Sequence, residues 1–261
     1  MPPRDRTVRL RQPEVASDRP TDRNCPMRPI CFALVVALLT ASWSTAGETA
    51  PVARPAELLY RADFTHRLDE WVVEQQPGGR VTVDDDTLLI EDEAGCTVWL
   101  RQKLTGPILI RFHVTLQSTG RVSDLNCFWM ASDPQHPDTL FYPDHPRTGK
   151  FSTYDPLQLY YVGYGGNYNS TTRFRRYDGQ GNRPLDPSHD LSTPPYLLRP
   201  DHRYTIELIA AAGRAQYVRD GEVIFDFVDP APLTEGWFGF RTVKSHYRVH
   251  DVEVWHAKVV K

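Results

Sequence analysis

Residues 108–116 read Ile-Leu-Ile-Arg-Phe-His-Val-Thr-Leu, and the fold class follows from this run. Its even positions, Ile108, Ile110, Phe112, Val114 and Leu116, are all large and apolar, while Arg111, His113 and Thr115 occupy odd ones. Successive side chains of a strand point to opposite sides of a sheet, so a period of two predicts a strand with one face in a core and the other in water. The run Tyr204-Thr205-Ile206-Glu207-Leu208 alternates in the same way. Residues 215–227 read as a β-hairpin, because Asp220-Gly221 supplies the two positive-φ residues of a type I′ turn. Residues 236–240 and 249–255 give two closing strands. No convincing amphipathic helix and no internal repeat interrupt the pattern from Leu58 onward. About a dozen short strands separated by turn residues predict an all-β fold, a two-sheet antiparallel β-sandwich.

Upstream of this domain the chain changes character. Residues 1–26 are polar and arginine-rich; Met27-Arg28 then opens a short basic start, an apolar run from Ile30 to Leu39, and the small residues Ser44-Thr45-Ala46. That order matches a signal peptide, with Met27 as the expected start and residues 1–26 as an over-extension. A membrane anchor is the alternative, although the apolar run is short for a span. The expected organisation is therefore an extension plus signal peptide over 1–46, a Pro/Ala linker over 47–56, and a single domain over 57–261. Secretion or periplasmic export follows, with no membrane partner once the signal is removed. Without residues 1–46 the chain keeps 23 basic and 29 acidic side chains, a net charge of −6 with histidine neutral. That balance argues against a nucleic-acid partner, which calls for a basic surface. Two cysteines remain, Cys96 and Cys127. Export permits a disulfide between them, and burial as two small apolar side chains is the alternative.

The aromatic residues are unevenly spread. Eight lie between Phe151 and Tyr177, interleaved with Arg173, Arg175 and Arg176 and with the amides Gln158, Asn167 and Asn169. Read as two strands joined near Gly165-Gly166, this segment puts Leu159, Tyr161 and Gly163 on one face of the first strand. Thr171, Arg173, Arg175 and Tyr177 share a face of the second. A strand facing a core does not carry alternating guanidinium groups, because an unpaired buried charge is costly. The Arg173/Arg175 face therefore meets water, ion pairs or a ligand. Planar aromatics, amides and fork-shaped guanidinium groups together suit a sugar, and arginine adds bidentate recognition of a carboxylate or sulfate. A solvated strand with arginines paired to Asp155 and Asp178 is the plainer reading. The proline-rich stretches 132–157 and 178–202 are too irregular for strands. With Phe141, Tyr142, Phe151, Tyr154 and Tyr196 among them, they are expected to be ordered loops covering a surface. Asn169-Ser170-Thr171 matches a glycosylation sequon and is read as chance.

Four stretches carry a resemblance: Asn126-Cys-Phe-Trp-Met-Ala-Ser-Asp-Pro134, Tyr160-Tyr-Val-Gly-Tyr-Gly-Gly-Asn167, Thr171-Thr-Arg-Phe-Arg-Arg-Tyr-Asp178, and Gly236-Trp-Phe-Gly-Phe-Arg-Thr242 with His246. They resemble a family of secreted bacterial domains of unknown function, sometimes labelled sugar hydrolases, within the concanavalin A-like lectin/glucanase jelly rolls. The resemblance covers nearly all of residues 57–256. It implies a galectin-like jelly roll whose concave sheet grips a glycan, without bringing an assigned reaction.

Two chemistries are weighed on that scaffold. Glycoside hydrolysis needs two carboxylates flanking the scissile bond, and the E-x-D-x-E strand of laminarinase-type jelly rolls is absent. Asp251 and Glu253 share a strand face but read as solvated. Elimination across a uronic acid instead needs cations to neutralise its carboxylate and an acid/base pair to move protons. Tyr160–Tyr164 is loosely similar to the tyrosine strand of jelly-roll alginate lyases, and Arg111-Phe112-His113 offers an Arg/His strand. The expected catalytic set is Tyr161 and His246 as acid and base, with Arg173 and Arg241 addressing an acidic group. The expected substrate-binding set is Asn126, Trp129, Tyr160, Asn167, Arg175, Trp237 and His113. For Trp129 and Trp237 a place in the core is favoured over a stacking platform, since buried tryptophans are normal in sandwiches. The partner is a glycan, one containing uronic acid in the favoured reading, and a non-catalytic carbohydrate-binding module is the alternative to an enzyme. No cofactor is expected; a structural calcium beside Asp84-Asp85-Asp86 or Glu91-Asp92-Glu93 is left open.

Overall fold

A computed structural model describes residues 49–65, 68–143 and 147–260, so the leader expected over 1–46 lies outside the described residues. Sixteen strands run in chain order: β1 (Ala53–Arg61), β2 (Trp71–Gln75), β3 (Arg80–Asp84), β4 (Thr87–Glu91), β5 (Cys96–Leu100), β6 (Leu104–Thr105), β7 (Ile108–Gln117), β8 (Leu125–Ser132), β9 (Gln158–Gly165), β10 (Thr171–Asp178), β11 (Asp190–Leu191), β12 (Arg203–Ala211), β13 (Arg214–Arg219), β14 (Glu222–Val228), β15 (Glu235–Thr242) and β16 (His246–Val259). One sheet has the order β14-β13-β12-β7-β16-β4-β3, with β1 also on β16. The other has the order β11-β10-β9-β8-β15-β5-β2, with β6 also on β15. All pairings are antiparallel. The fold is a two-sheet jelly-roll sandwich.

The alternation of residues 108–116 is visible in their burial. Ile108, Ile110, Phe112, Val114 and Leu116 are sealed in the inter-sheet core, while Arg111, His113 and Thr115 are part-exposed on the outer face. Phe112 meets Phe240 edge-on, with ring centroids 5.0 Å apart, and so ties the two sheets together. Two tight turns follow from aspartate and glycine tolerating positive φ. Asp220 (φ 51°) and Gly221 (φ 86°) join β13 to β14, and Asp85 (φ 46°) and Asp86 (φ 55°) join β3 to β4. β1 begins at Ala53, so the expected linker over 47–56 is in part an edge strand; Pro55 sits beside a register shift, where a missing N–H is tolerated. Cys96 and Cys127 are free, buried thiols within the core, and burial pushes both thiols up. Among the described residues no helix is long and apolar enough to cross a membrane.

Candidate functional site

Strand register decides which side chains share the outer face of the second sheet. Arg173 lies opposite Gly163, Gly163 opposite Asn126, Asn126 opposite Arg241, Arg241 opposite Thr97 and Thr97 opposite Glu74. A polar row therefore crosses six strands. The next row reads Arg175, Tyr161, Phe128, Gly239, Trp99 and Val72. Gly163 serves this arrangement directly: a Cβ there would lie 2.4 Å from the Tyr161 hydroxyl oxygen, so its absence lets the phenol lie flat along the sheet toward the polar row.

Segment 133–157, in its described residues, covers one part of this face and leaves the other open. Over β8, β15, β5 and β2 it buries Trp99, Phe128 and Trp237 beneath Leu140 and Tyr154. Glu74 anchors the cover: it accepts from Trp99 Nε1 at 2.9 Å and Tyr154 Oη at 2.8 Å, and pairs with Arg147 at 3.0 Å. Over β9 and β10 a cleft of about 950 Å³ stays open. Tyr161, Arg173, Arg175 and Tyr177 form its floor, Phe151 and Arg183 one wall, and Asp124 and Asn167 one end.

The charges in the cleft are unequal. Asp190, on β11, takes the Arg173 guanidinium in a bidentate pair at 2.8 and 3.0 Å. Arg183 pairs with Asp155 at 3.4 Å and lies over the Phe151 ring. Asp124 is engaged by Arg121 and the Ser123 hydroxyl, both at 2.6 Å. Asp178 closes its own turn by accepting from the backbone N–H groups of Gln180 and Asn182. Arg175 donates to the Arg183 carbonyl and has no carboxylate within ion-pairing distance among the described residues. Burial raises the Tyr161 phenol well above its ordinary value, with Tyr177 and Asp124 adding to the effect, so it stays protonated. Burial also pushes Tyr177 up to about 12.

Of the expected site residues, Tyr161, Arg173, Arg175 and Asn167 line this one cleft. Asn126 and Arg241 lie on the same face but are covered, at 2% and 1% exposure. Arg241 donates to the Gly149 carbonyl at 2.5 Å and stacks on Phe151 and Tyr154, each 5.3 Å away. Its Nε and the Asn126 Oδ1 are buried without a hydrogen-bond partner among the described residues.

The other five are elsewhere. His246 starts β16 in the opposite sheet, with Nδ1 3.2 Å from Thr119 Oγ1 and Nε2 3.7 Å from Glu93. The short link Val243-Lys244-Ser245, with Lys244 at φ 62°, carries the chain from one layer to the other, so nearness to Arg241 in sequence does not become nearness in space. His113 is on the outer face of that same sheet, 3.0 Å from Asp251. Trp129 and Tyr160 face the inter-sheet core, since the alternation that turns Phe128 and Tyr161 outward turns their neighbours inward. Tyr160 donates to Asp229 at 2.7 Å. Trp237 has the right face but is under the cover, its indole N–H donating to the Arg101 carbonyl. Asp251 and Glu253 are on the solvated face, paired with Arg203 and Arg61.

Asp124, Arg183 and Asn182 also line the cleft and were not singled out from sequence. They come from turns, where no periodicity points a side chain anywhere. One of the acidic turns weighed for calcium has an internal use: Asp92 accepts from the backbone N–H groups of Gly95 at 3.0 Å and Lys244 at 2.8 Å. Among the described residues no group of three or more His, Cys, Asp or Glu side chains is arranged to hold a metal ion.

Comparison with known proteins agrees with this architecture. The family model of the domain of unknown function DUF6250 matches residues 90–252. No curated protein sequence matches the chain. Among solved structures, a protein of unknown function with galectin-like fold from Bacillus subtilis is 22% identical, with a TM-score of 0.64 over 80% of this chain and 100% of that one. Carbohydrate binding module CBM66 from Bacillus subtilis is 12% identical, with a TM-score of 0.51 over 74% and 99%. The endo-β-1,3-glucanase from Pyrococcus furiosus is 9% identical, with a TM-score of 0.53 over 81% and 100%. At these identities the likeness establishes the fold.

Proposed function

The chain belongs to the DUF6250 family of domains, and from that premise we propose that it binds an acidic glycan in the cleft over β9 and β10. The observation that carries this reading is Arg175: a guanidinium with no carboxylate partner among the described residues, beside Tyr161 and Phe151 in a cleft large enough for a small oligosaccharide. Its fork matches a carboxylate or sulfate, the aromatic rings offer apolar faces to a pyranose, and Asn167 and Asn182 offer amides to hydroxyl groups. Sandwiches of this shape include a carbohydrate-binding module and a glucanase, which supports a glycan as the ligand class.

The cleft favours holding over cutting. Elimination needs a group to take the proton from the sugar ring, and the described residues lining the cleft include no histidine. Tyr161 keeps its proton and can donate one, while Asp124 and Asp178 are already engaged. Among the described residues no pair of unengaged carboxylates lines the cleft to support hydrolysis. We therefore place the non-catalytic module ahead of a lyase or hydrolase. Residues 27–46 support export, which suits a polysaccharide ligand, and cell fractionation with antibody detection tests that location.

The direct test is calorimetric titration of oligogalacturonates, oligomannuronates and their neutral counterparts into the wild type and Arg175→Ala. The expected result is preference for the acidic sugars and its loss in the variant. Equal affinity for neutral and acidic sugars removes Arg175 from the recognition, and no binding to any of them removes the reading. Ultraviolet absorbance of an unsaturated product in the same samples would restore elimination.

A further inference from the structure

We infer that this cleft receives the end of a glycan chain and that the rest of the chain leaves over Tyr168; the inference rests on the glycan reading of the cleft. Its first ground is where the cleft stops. The sheet is seven strands wide along its main path, about 29 Å at ~4.8 Å between neighbours. A chain lying across all of them would have to pass over Phe128, Trp99 and Trp237, which are buried beneath segment 133–157 at 0%, 0% and 3% exposure. Phe151 stands at the boundary, 5.9 Å from the Tyr161 ring and 5.3 Å from the Arg241 guanidinium. The cover is fixed from below by Arg147 on Glu74 and by Arg241 on the Gly149 carbonyl. Among the described residues the open part of this face is the cleft over β9 and β10, so a saccharide can enter but not continue across the sheet.

The second ground lies at the Asn167 end. Asn167, Tyr168 and Asn169 are three consecutive left-handed residues, with φ of 51°, 59° and 60°. L-residues adopt this conformation one at a time, so a run of three, one of them tyrosine, must be held in place. It is held: Asn169 accepts from the Leu198 N–H at 2.8 Å and donates to the Leu198 carbonyl at 2.9 Å, and Ser170 Oγ donates to the Asn167 carbonyl at 2.7 Å. The result is a tyrosine 79% exposed, with the Arg121 guanidinium 4.8 Å from its ring centroid. Arg121 in turn fixes Asp124, which lines the cleft. The far end, around Gly181 to Pro184, presents no comparably exposed aromatic among the described residues. An aromatic face held clear of the surface beside one end of a cleft blocked on its β8 side gives the following sugar rings a platform.

The test uses the purified full domain and uronic-acid saccharides as monomer, tetramer and long polymer, each with free ends and with both ends chemically capped. Chain-end recognition gives one protein molecule per polymer chain whatever its length, and capping abolishes binding. Tyr168→Asn, whose side chain suits a left-handed position, should weaken the tetramer about threefold to tenfold and leave the monomer unchanged. Tyr168→Phe should bind as the wild type. Many protein molecules per polymer chain, or full binding of capped polymer, overturns end recognition while the glycan reading stands. An equal loss for monomer and tetramer in Tyr168→Asn overturns the exit route. If none of the saccharides binds, the glycan reading fails and this inference with it.

Discussion

The covered and open parts of one sheet face use the same residue types to opposite ends. Under segment 133–157, Glu74 satisfies an indole N–H, a phenol and a guanidinium together, and Trp99, Phe128 and Tyr154 pack with centroids 5.3 to 6.1 Å apart. Over β9 and β10, Tyr161 and Arg175 lie on the same face, in the row that continues through Phe128 to Trp99, yet their polar ends meet a cleft. Polar groups satisfied within the protein report on folding, whereas those left facing solvent beside aromatic rings report on a ligand. The outer face of the first sheet is a further contrast. Arg111 pairs with Glu207, and Asp251 with His113 and Arg203, so these charges are matched across strands within the protein.

Substitution at Glu74 should break the comparison most severely. Glu74→Ala strands Arg147, whose side chain is 6% exposed, and removes the acceptor of Trp99 and Tyr154. Leaving a buried charge unpaired costs about 3–5 kcal/mol, and denaturant unfolding should register a loss of that size. The cover should loosen in parallel, with proteolysis appearing between residues 133 and 157. Gly163→Ala comes next. Its new Cβ forces the Tyr161 ring off the sheet, for about 1–3 kcal/mol of strain, and tyrosine fluorescence together with binding reports the displaced phenol. Unchanged stability and binding in Gly163→Ala would show that the Tyr161 position is not set by that glycine.

How much of this was legible beforehand depends on periodicity. The two sheets were readable because strand alternation is a local property: residues 108–116 or 171–177 declare their faces without reference to anything distant. The same alternation put Tyr161, Arg173 and Arg175 together. It could have corrected Trp129 and Tyr160 as well, since each sits one residue from an outward-facing neighbour. What sequence could not convey is layer and cover. His246 follows Arg241 by five residues yet belongs to the other sheet, because a short link crosses between layers. Trp237, Asn126 and Arg241 face the right way and are hidden by a loop whose path no local pattern encodes.

Arg175→Ala separates folding from recognition. The residue is part-exposed and its one hydrogen bond is to a carbonyl, so stability should change by no more than about 0.5 kcal/mol. Affinity for an acidic saccharide should fall by about 1.5–3 kcal/mol, the usual value of a hydrogen bond to a charged group. Thermal melting and calorimetry on one sample give both numbers, and a large loss of stability would move Arg175 to the folding side of the comparison.

The smallest effect is expected at the edge of the cleft, in its dependence on pH. His189 precedes Asp190, the partner of Arg173, and packs edge-on against Phe174 with ring centroids 5.2 Å apart and against Phe225 and Phe227. Burial lowers its pKa below the ordinary 6.5, against the opposing pull of Asp186 and Asp226. A histidine depressed in the folded state binds its proton more readily when unfolded, so its contribution is intact above pH 6.5 and lost as pH falls below that value. His250, lowered chiefly by burial in the other sheet, acts in the same direction. Melting temperature should therefore fall on acidification from pH 7 to pH 5, and His189→Leu should remove part of that slope while leaving the His250 share. The open part of the face should then titrate with His189 and the covered part should not. Amide exchange at β11 against β5 reads that difference, and equal acid sensitivity at both would show that the two parts unfold as one unit.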